Sequence, residues 1–445
     1  MSRLAIFGGE PVRKDPFPAY NTIGDEEKAA VQDVLDSGVL SRFLGAWHPD
    51  FYGGPQVRRF EKEWAEAFSV RHAISVNSCT SGLYAAVGAA GVGPGDEIIV
   101  SPYTMTASVT AALVFNAVPV FADIDPETFC LSPESIKNRI TPRTKAIIVV
   151  DIFGQAAAMD EIMDIAGNHN LVVIEDTAQA PFAYRNNRPA GTLGHIGVFS
   201  FNYHKHIHTG EGGMLVTNDD DLADRLHLIR NHGESVAYGK GTDNLVNIIG
   251  FNFRLGEIEA AIGLCQTQKA PGLITQRQEN VSYLEERLRG IPELKMPKVA
   301  KGNTHVYYVH VITFDEDFAG ISRDLYVQVL NAEFPAPEGG RGLIRAGYVQ
   351  PLYLLPLFRQ QTAYGTVQCP FKCPHYKGRA DYGLGLCPTV EKVNDRILLH
   401  ELFRPPMTRD DLDAVIGAFE KVHENLDELR NGAQRLASSG GGDQV

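Results

Sequence analysis

Residues 199–218 read FSFNYHKHIHTGEGGMLVTN and set one lysine, Lys205, between Ser200 and a glycine-rich run of Gly210, Glu211, Gly212 and Gly213. The apolar run 214–217 that follows predicts a short strand. Taken alone, a lysine on such a loop is most often a solvated surface residue. It does covalent chemistry only where its surroundings lower its pKa, so the rest of the chain decides between the two readings.

On the N-terminal side the chain alternates. Apolar runs at 73–76, 97–100, 118–122, 146–150 and 171–174 are interleaved with helical patterns at 81–90, 104–115 and 159–168. This predicts an α/β fold with a mainly parallel sheet covered on both faces, whose functional groups gather beyond the carboxyl ends of the strands. Three stretches there carry reactive types: Asn77-Ser78-Cys79-Thr80, Ser101-Pro102-Tyr103-Thr104 and Glu175-Asp176-Thr177-Ala178-Gln179. Further upstream, a helix is expected over 25–36, then a loop over 40–55 that serves a substrate, a partner or only the connection. In the helix opened by Pro55, Val57, Phe60, Trp64 and Phe68 recur at helical spacing and belong to a core.

On the C-terminal side, helices are expected over 220–231, 255–269 and 273–289. A compositional break at 291–302 then marks a boundary, giving a large domain over 1–290 with its N-terminal segment and a smaller α+β domain over 291–432. Within the latter, a strand over 304–314 and helices over 322–333 and 408–429 are expected, with 433–445 a disordered tail. Residues 335–390, rich in proline, glycine and aromatics, give no assignable pattern.

Composition narrows the partners. The 445 residues carry a formal charge of −13 with no basic stripe, which disfavours nucleic acid. The opening MSRLAIFGGEPVRKDPF has no secretory apolar core, and the six scattered cysteines suit free thiols, so a cytoplasmic protein is expected. No metal is expected: Cys369, Cys373, His375 and Cys387 have poor zinc spacing. A nicotinamide dehydrogenase is disfavoured because the glycine cluster Gly91-Val92-Gly93-Pro94-Gly95 precedes a strand instead of following one.

Each strand-end signal has a plain alternative. Asn77 to Thr80 is a phosphate-binding helix start or an ordinary N-cap. Asp176 faces a cationic ring nitrogen, or caps a loop or forms a salt bridge, and Tyr103 lies on a ring or packs in the core. Together they fit pyridoxal 5'-phosphate, which needs a lysine, a carboxylate at its ring nitrogen, a phosphate cup and a stacking partner.

The chain resembles the DegT/DnrJ/EryC1/StrS family of sugar aminotransferases, of the aspartate-aminotransferase fold (pyridoxal-phosphate fold type I). The likeness runs through LAIFGGEPVR, EDTAQA, SFNYHKHIHTGEGG, GFNFRLGEIEAAIGLCQ and CPTVEKVNDRILLHELFRPPMTRDDLD, with serine, four residues, lysine, four residues and GEGG in unbroken spacing. The resemblance implies that Lys205 is the cofactor-bound lysine, Asp176 pairs with the pyridine nitrogen, Gln179 lies near the ring hydroxyl and Tyr103 stacks on the ring. It implies that Cys79, Thr80 and Ser200 hold the phosphate, beside the Ser78 hydroxyl expected at the same helix start, and that Asn252 reaches the neighbouring subunit's site in a homodimer with shared active sites.

Cys79 stands where glycine is common in the family, and His204, His206 and His208, which crowd the lysine, read as packed or solvated loop residues. Lysine at 205, where the family's dehydratases carry histidine, favours an aminotransferase moving nitrogen from glutamate or glutamine to a keto sugar nucleotide or keto-cyclitol, in natural-product or polysaccharide biosynthesis. The alternatives are a non-aminating enzyme of dehydratase or aminobenzoate-synthase type, or a non-catalytic cofactor-binding partner.

Overall fold

A computed structural model describes residues 3–336 and 342–431. The expected tail, 433–445, lies outside the described residues, as do 337–341 of the unassigned segment.

The strands in chain order are β1 (His72–Val76), β2 (Glu97–Val100), β3 (Val118–Phe121), β4 (Thr144–Val150), β5 (Val172–Asp176), the two-residue pair β6 (Tyr184–Arg185) and β7 (Arg188–Pro189), β8 (Ile196–Ser200), β9 (Gly213–Thr217), β10 (Leu294–Lys295), β11 (His310–Phe314), β12 (Ile344–Ala346) and β13 (Ile397–His400). Seven of them form one sheet in the order β1-β9-β8-β5-β4-β2-β3. From β8 to β3 its neighbours pair parallel, while β9 runs antiparallel to both β8 and β1. The central strands β2, β4 and β8 are buried but for Lys145 near the start of β4, as a sheet covered on both faces requires.

This topology gathers the site. Ser200 and Val76 both pair with Gly213, so β1 and β8 end on the edge where β9 begins. Asp176 closes β5 two positions back, opposite Val198. The Asn77-to-Thr80 turn, Asp176 and the Lys205 loop therefore leave the sheet at one edge, as parallel-sheet logic predicts.

A second, antiparallel sheet, β10-β11-β13-β12, carries its own core of Ile312, Phe314, Tyr326, Leu398, Leu412 and Phe419. That core also takes Leu4 from the N-terminus and Val281, Leu284 and Leu288 from the helix before Ile291, so packing does not divide at the compositional break. The two helices expected over 255–269 and 273–289 are one helix, Glu257–Leu288, with Pro271 inside it. An internal proline costs about 3 kcal/mol. Burial of both halves offsets this, since Ala260, Leu264 and Ala270 pack with Phe60 and Trp64 while Val281 to Leu288 pack in the second core.

The strand expected over 304–314 begins only at His310. Before it, Val306 N–H donates to Gly154 O and Tyr308 N–H to Phe153 O, so this stretch docks on the turn after β4. The unassigned segment packs on the large sheet. Tyr353, Phe358 and Tyr382 meet Phe121 edge-on, and the Tyr382 hydroxyl donates to Pro119 O at 2.6 Å. It covers β3, the last strand of the sheet, which would otherwise offer an unpaired edge. Among the described residues no helix is long and apolar enough to cross a membrane.

Candidate active site

A cavity of about 230 Å³ opens at the shared strand edge, and its lining includes Ser78, Cys79, Thr80, Asp176, Gln179, Ser200 and Lys205. Seven of the nine residues singled out in the sequence thus meet in one place; Tyr103 and Asn252 do not line it.

At one wall the helix Cys79–Ala89 begins with Ser78 as its N-cap, the hydroxyl accepting from Ser81 N–H at 3.0 Å. The cap and phosphate readings coexist, because capping uses the Ser81 amide and leaves those of Cys79 and Thr80 at the positive end of the helix. The Thr80 hydroxyl has no partner among the described residues, and Ser200 Oγ accepts only a long bond, 3.4 Å, from Asn202 N–H. Glycine at 213 is required here: a Cβ would stand 2.8 Å from Cys79 N and 2.9 Å from Phe199 O. Cysteine at 79 leaves these amides in place; its sulfur points to Asp176 Oδ1 at 4.0 Å, and burial followed by that carboxylate pushes its thiol pKa well up.

Deeper in, Asp176 Oδ2 accepts from Ser108 Oγ at 2.7 Å and Oδ1 from Ala178 N–H at 3.2 Å. Burial raises its pKa, opposed by those two bonds and by Lys205. Its neighbour Glu175 points to the other face of the strand, where it accepts from the amides of Gly191, Leu193 and Gly194 at 2.7 to 3.0 Å. Strand alternation thus assigns the cavity-facing carboxylate to Asp176.

Lys205 is 8 % exposed, and its amine makes no ion pair among the described residues. Nζ sits 4.3 Å from the centroid of the Tyr308 ring. Burial lowers its pKa against the pull of Tyr348, Cys79 and Asp176, which favours a neutral amine. Gln179 is pinned at both ends: Nε2 donates to the Tyr348 hydroxyl at 3.0 Å, and Oε1 accepts from Phe153 N–H at 2.9 Å.

Tyr103 is not brought to the cavity as the expected stacking ring. It is fully buried, packs edge-on to Phe153 and Tyr348, and donates its hydroxyl to Asn394 Oδ1 at 2.9 Å. Asn394 Oδ1 also accepts from Tyr348 N–H at 3.0 Å, so Tyr103 supports the residue that does line the site. Asn252 is exposed, its Oδ1 accepting from Arg254 Nε at 2.7 Å. It sits beside the phosphate turn, where Asn77 N–H donates to Phe253 O at 2.8 Å.

Of the three histidines, His204 lines the cavity, with its pKa pushed down to about 4 by burial, then by Lys205 and Arg404, so it is neutral at pH 7. His206 is buried against Val306 O at 2.9 Å, and His208 braces the loop by accepting from Gly210 N–H at 3.3 Å. Ser108, Tyr308 and Tyr348 also line the cavity and were not singled out in the sequence. Ser108 had a local signal, falling one turn into a helix that starts at a strand end. The two tyrosines had none, since long-range docking delivers them.

The residues present fit pyridoxal phosphate. Helix amides and unpartnered hydroxyls suit its phosphate, a buried carboxylate its ring nitrogen, and a buried amine free of ion pairs its carbonyl. Gly213→Ala closes the phosphate end through the contact with Cys79 N. We expect it to weaken cofactor retention about tenfold or more in equilibrium dialysis, with the far-ultraviolet dichroism unchanged.

Comparison with known proteins agrees. The DegT/DnrJ/EryC1/StrS aminotransferase family model matches residues 21–375. Spore coat polysaccharide biosynthesis protein SpsC of Bacillus subtilis is 33% identical over 423 residues, covering 93% of this chain and 99% of its own. A Streptoalloteichus tenebrarius protein named "Putative L-glutamine:3-amino-2,3-dideoxy-scyllo-inosose aminotransferase" is 33% identical over 443 residues, covering 96% and 100%. The solved structure of an aminotransferase from Psychrobacter cryohalolentis superposes with a TM-score of 0.78 at 29% identity, covering 93% of this chain and 100% of that one. The chain belongs to the DegT/DnrJ/EryC1/StrS aminotransferase family and is a pyridoxal-phosphate-dependent transaminase of the sugar and cyclitol type.

Proposed function

We propose that this transaminase takes its nitrogen from glutamate or glutamine and delivers it to a keto group on a cyclitol or a nucleotide-linked sugar, in cytoplasmic natural-product or polysaccharide biosynthesis. The observation that carries this reading is the convergence of Lys205, Asp176 and the Ser78-to-Thr80 turn on one cavity. Bound there, pyridoxal phosphate supplies the carbonyl that carries the amino group and the ring that takes up the electrons of the deprotonated carbon.

The chain's own residues do the rest. The amides of Cys79 and Thr80, with the Thr80 and Ser200 hydroxyls, bind the phosphate. Asp176, held by Ser108 and Ala178, keeps a proton on the ring nitrogen. Lys205 Nζ, its pKa lowered by burial, takes the proton from the donor's α-carbon and later gives one to the carbon that bore the acceptor's keto group. Gln179, fixed by Tyr348, orients the ring hydroxyl.

Full-length likeness to a protein named for a scyllo-inosose substrate favours the cyclitol branch. A panel of keto-cyclitols and nucleotide keto sugars, each run with both donors, tests this. Turnover of a keto-cyclitol with glutamine is expected; no turnover of any panel member would reject the acceptor class.

We further propose a homodimer in which Asn252 reaches the partner's phosphate site. Support comes from Asn252 lying exposed beside the phosphate turn, and from exposed apolar side chains at Leu40, Leu44, Trp47, Tyr238, Leu245, Val246 and Ile249. Sedimentation equilibrium is expected to return twice the chain mass of 48.8 kDa, and Tyr238→Asp to shift it toward one. A wild-type monomer would remove the shared-site reading.

A further inference from the structure

Three histidines crowd the lysine, and two of them have work within the loop. The His206 ring is held by Val306 O at 2.9 Å, and His208 Nδ1 accepts from Gly210 N–H at 3.3 Å. His204 makes no hydrogen bond or ion pair among the described residues, and neither of its ring nitrogens is shut away from solvent. It is half-buried and lines the Lys205 cavity.

The turn that delivers the lysine also delivers this ring. Lys205 N–H donates to Asn202 O at 2.9 Å, which makes Tyr203 and His204 the two central residues of a tight turn. The imidazole lies beside Tyr308, the ring centroids 6.1 Å apart, and Lys205 Nζ sits 4.3 Å from the same Tyr308 centroid. The Tyr308 hydroxyl likewise has no partner among the described residues and stays accessible, on a side chain that lines the cavity.

Both groups are neutral at pH 7. Burial, then Lys205 and Arg404, holds the imidazole down at about 4, and burial pushes the phenol up to about 12. Each therefore offers one donor and at least one acceptor. Glu211 lines the cavity with them, an exposed carboxylate whose Oε1 accepts from Asn202 Nδ2 at 2.8 Å.

This wall suits one kind of ligand group. A carboxylate only accepts, so it would leave the imidazole and phenol acceptors without a donor, and it would meet a like charge at Glu211. A hydroxyl donates and accepts at once, as both side chains require. Of the substrates proposed above, glutamate and glutamine carry no alcohol, whereas the keto compound carries several.

We propose that His204, with the Tyr308 hydroxyl beside it, determines specificity for the amino acceptor by exchanging hydrogen bonds with the hydroxyl on the carbon next to the keto group. This rests on the polyhydroxylated keto acceptor proposed above. The carbon that takes up nitrogen must come within reach of Lys205 Nζ, so the hydroxyl one carbon away falls to the ring that shares the Lys205 turn and the Tyr308 face. With the amino donor bound, water takes the place of that hydroxyl at the accessible ring nitrogens, and neither is left bare.

The test uses the cofactor-loaded full chain in separate half-reactions followed by cofactor absorbance. Glutamate and glutamine drive the first. Each keto-cyclitol and nucleotide keto sugar of the panel drives the second, beside its analogue lacking the hydroxyl next to the ketone. Wild type should prefer the hydroxylated acceptor about tenfold, and His204→Leu less than about twofold, because either change removes the same contact. His204→Leu should also raise the half-saturating acceptor concentration about tenfold while the donor value stays within about twofold. His204→Gln, which keeps a donor and an acceptor, should recover most of the preference. Tyr308→Phe, which keeps the ring at Lys205 Nζ, should lower it in the same direction as His204→Leu.

A wild type indifferent to that hydroxyl would overturn the proposal, as would a preference unchanged in both His204→Leu and Tyr308→Phe. So would a loss shared equally by donor and acceptor, which marks a merely structural role. If His204→Leu loses the cofactor, Tyr308→Phe decides by the same criteria. A wild type that aminates no member of the panel defeats the acceptor class itself. A reactive wild type whose variants keep the preference defeats only the assignment of His204.

Discussion

Lys205→Ala is expected to abolish turnover, by a factor on the order of 10⁴ or more, because it removes the amine proposed both to join the cofactor and to move the proton. The absorbance of the cofactor–lysine bond should vanish with it. Stability should not fall in parallel: Lys205 is 8 % exposed with no ion pair among the described residues, and a buried unpaired amine costs the native state free energy. A thermal midpoint at or above that of the wild-type apoprotein, with activity lost, separates chemistry from folding.

Asp176→Asn should cut turnover by roughly 10²- to 10⁴-fold, since the amide keeps the shape of the side chain but cannot hold the ring nitrogen's proton by charge. Its one oxygen can still accept from the Ala178 amide, which donates to Oδ1 at 3.2 Å, while its NH2 takes the place of Oδ2 and donates to Ser108 Oγ, which donates to that oxygen at 2.7 Å in the wild type. The sign of the stability effect follows from burial raising the Asp176 pKa. A carboxyl whose native pKa lies above its unfolded value stabilises at low pH and loses that contribution as pH rises through the two values. At pH 7 the apoprotein therefore carries Asp176 at a cost, and the asparagine variant should unfold no earlier than wild type. Calorimetry of the two apoproteins, beside single-turnover kinetics of the loaded forms, reads both halves.

Residues that act where their own strand ends were legible in the sequence. Asp176 and Ser78 to Thr80 sit at the ends of β5 and β1, which apolar alternation marks without knowledge of the fold, whereas Ser200 closes β8, a strand the alternation did not mark, and was found through its spacing from Lys205. Residues that long-range packing delivers were not. Tyr308 lay within a stretch that reads as strand, and only the bonds from Val306 and Tyr308 to the turn at Phe153 and Gly154 turn it toward Lys205. Tyr348 comes from a segment with no pattern, because its aromatics are spaced to cover β3 and follow no period of their own.

Tyr103, set on the ring by the resemblance, takes in the structure the core packing that the sequence had left open. It occupies the right loop, yet Asn394 and Phe153 draw its ring into the core. Pro271 misleads in the same way, as a local break overridden by two cores that each hold half of one helix.

We propose that Lys205, and no other lysine, carries the cofactor. Borohydride reduction of the pyridoxal-phosphate-loaded protein, followed by peptide mass mapping, tests it directly. One reduced pyridoxyl group per chain is expected, on the peptide containing Lys205; the label on a different lysine, or no label on a protein that has bound the cofactor, would overturn the assignment.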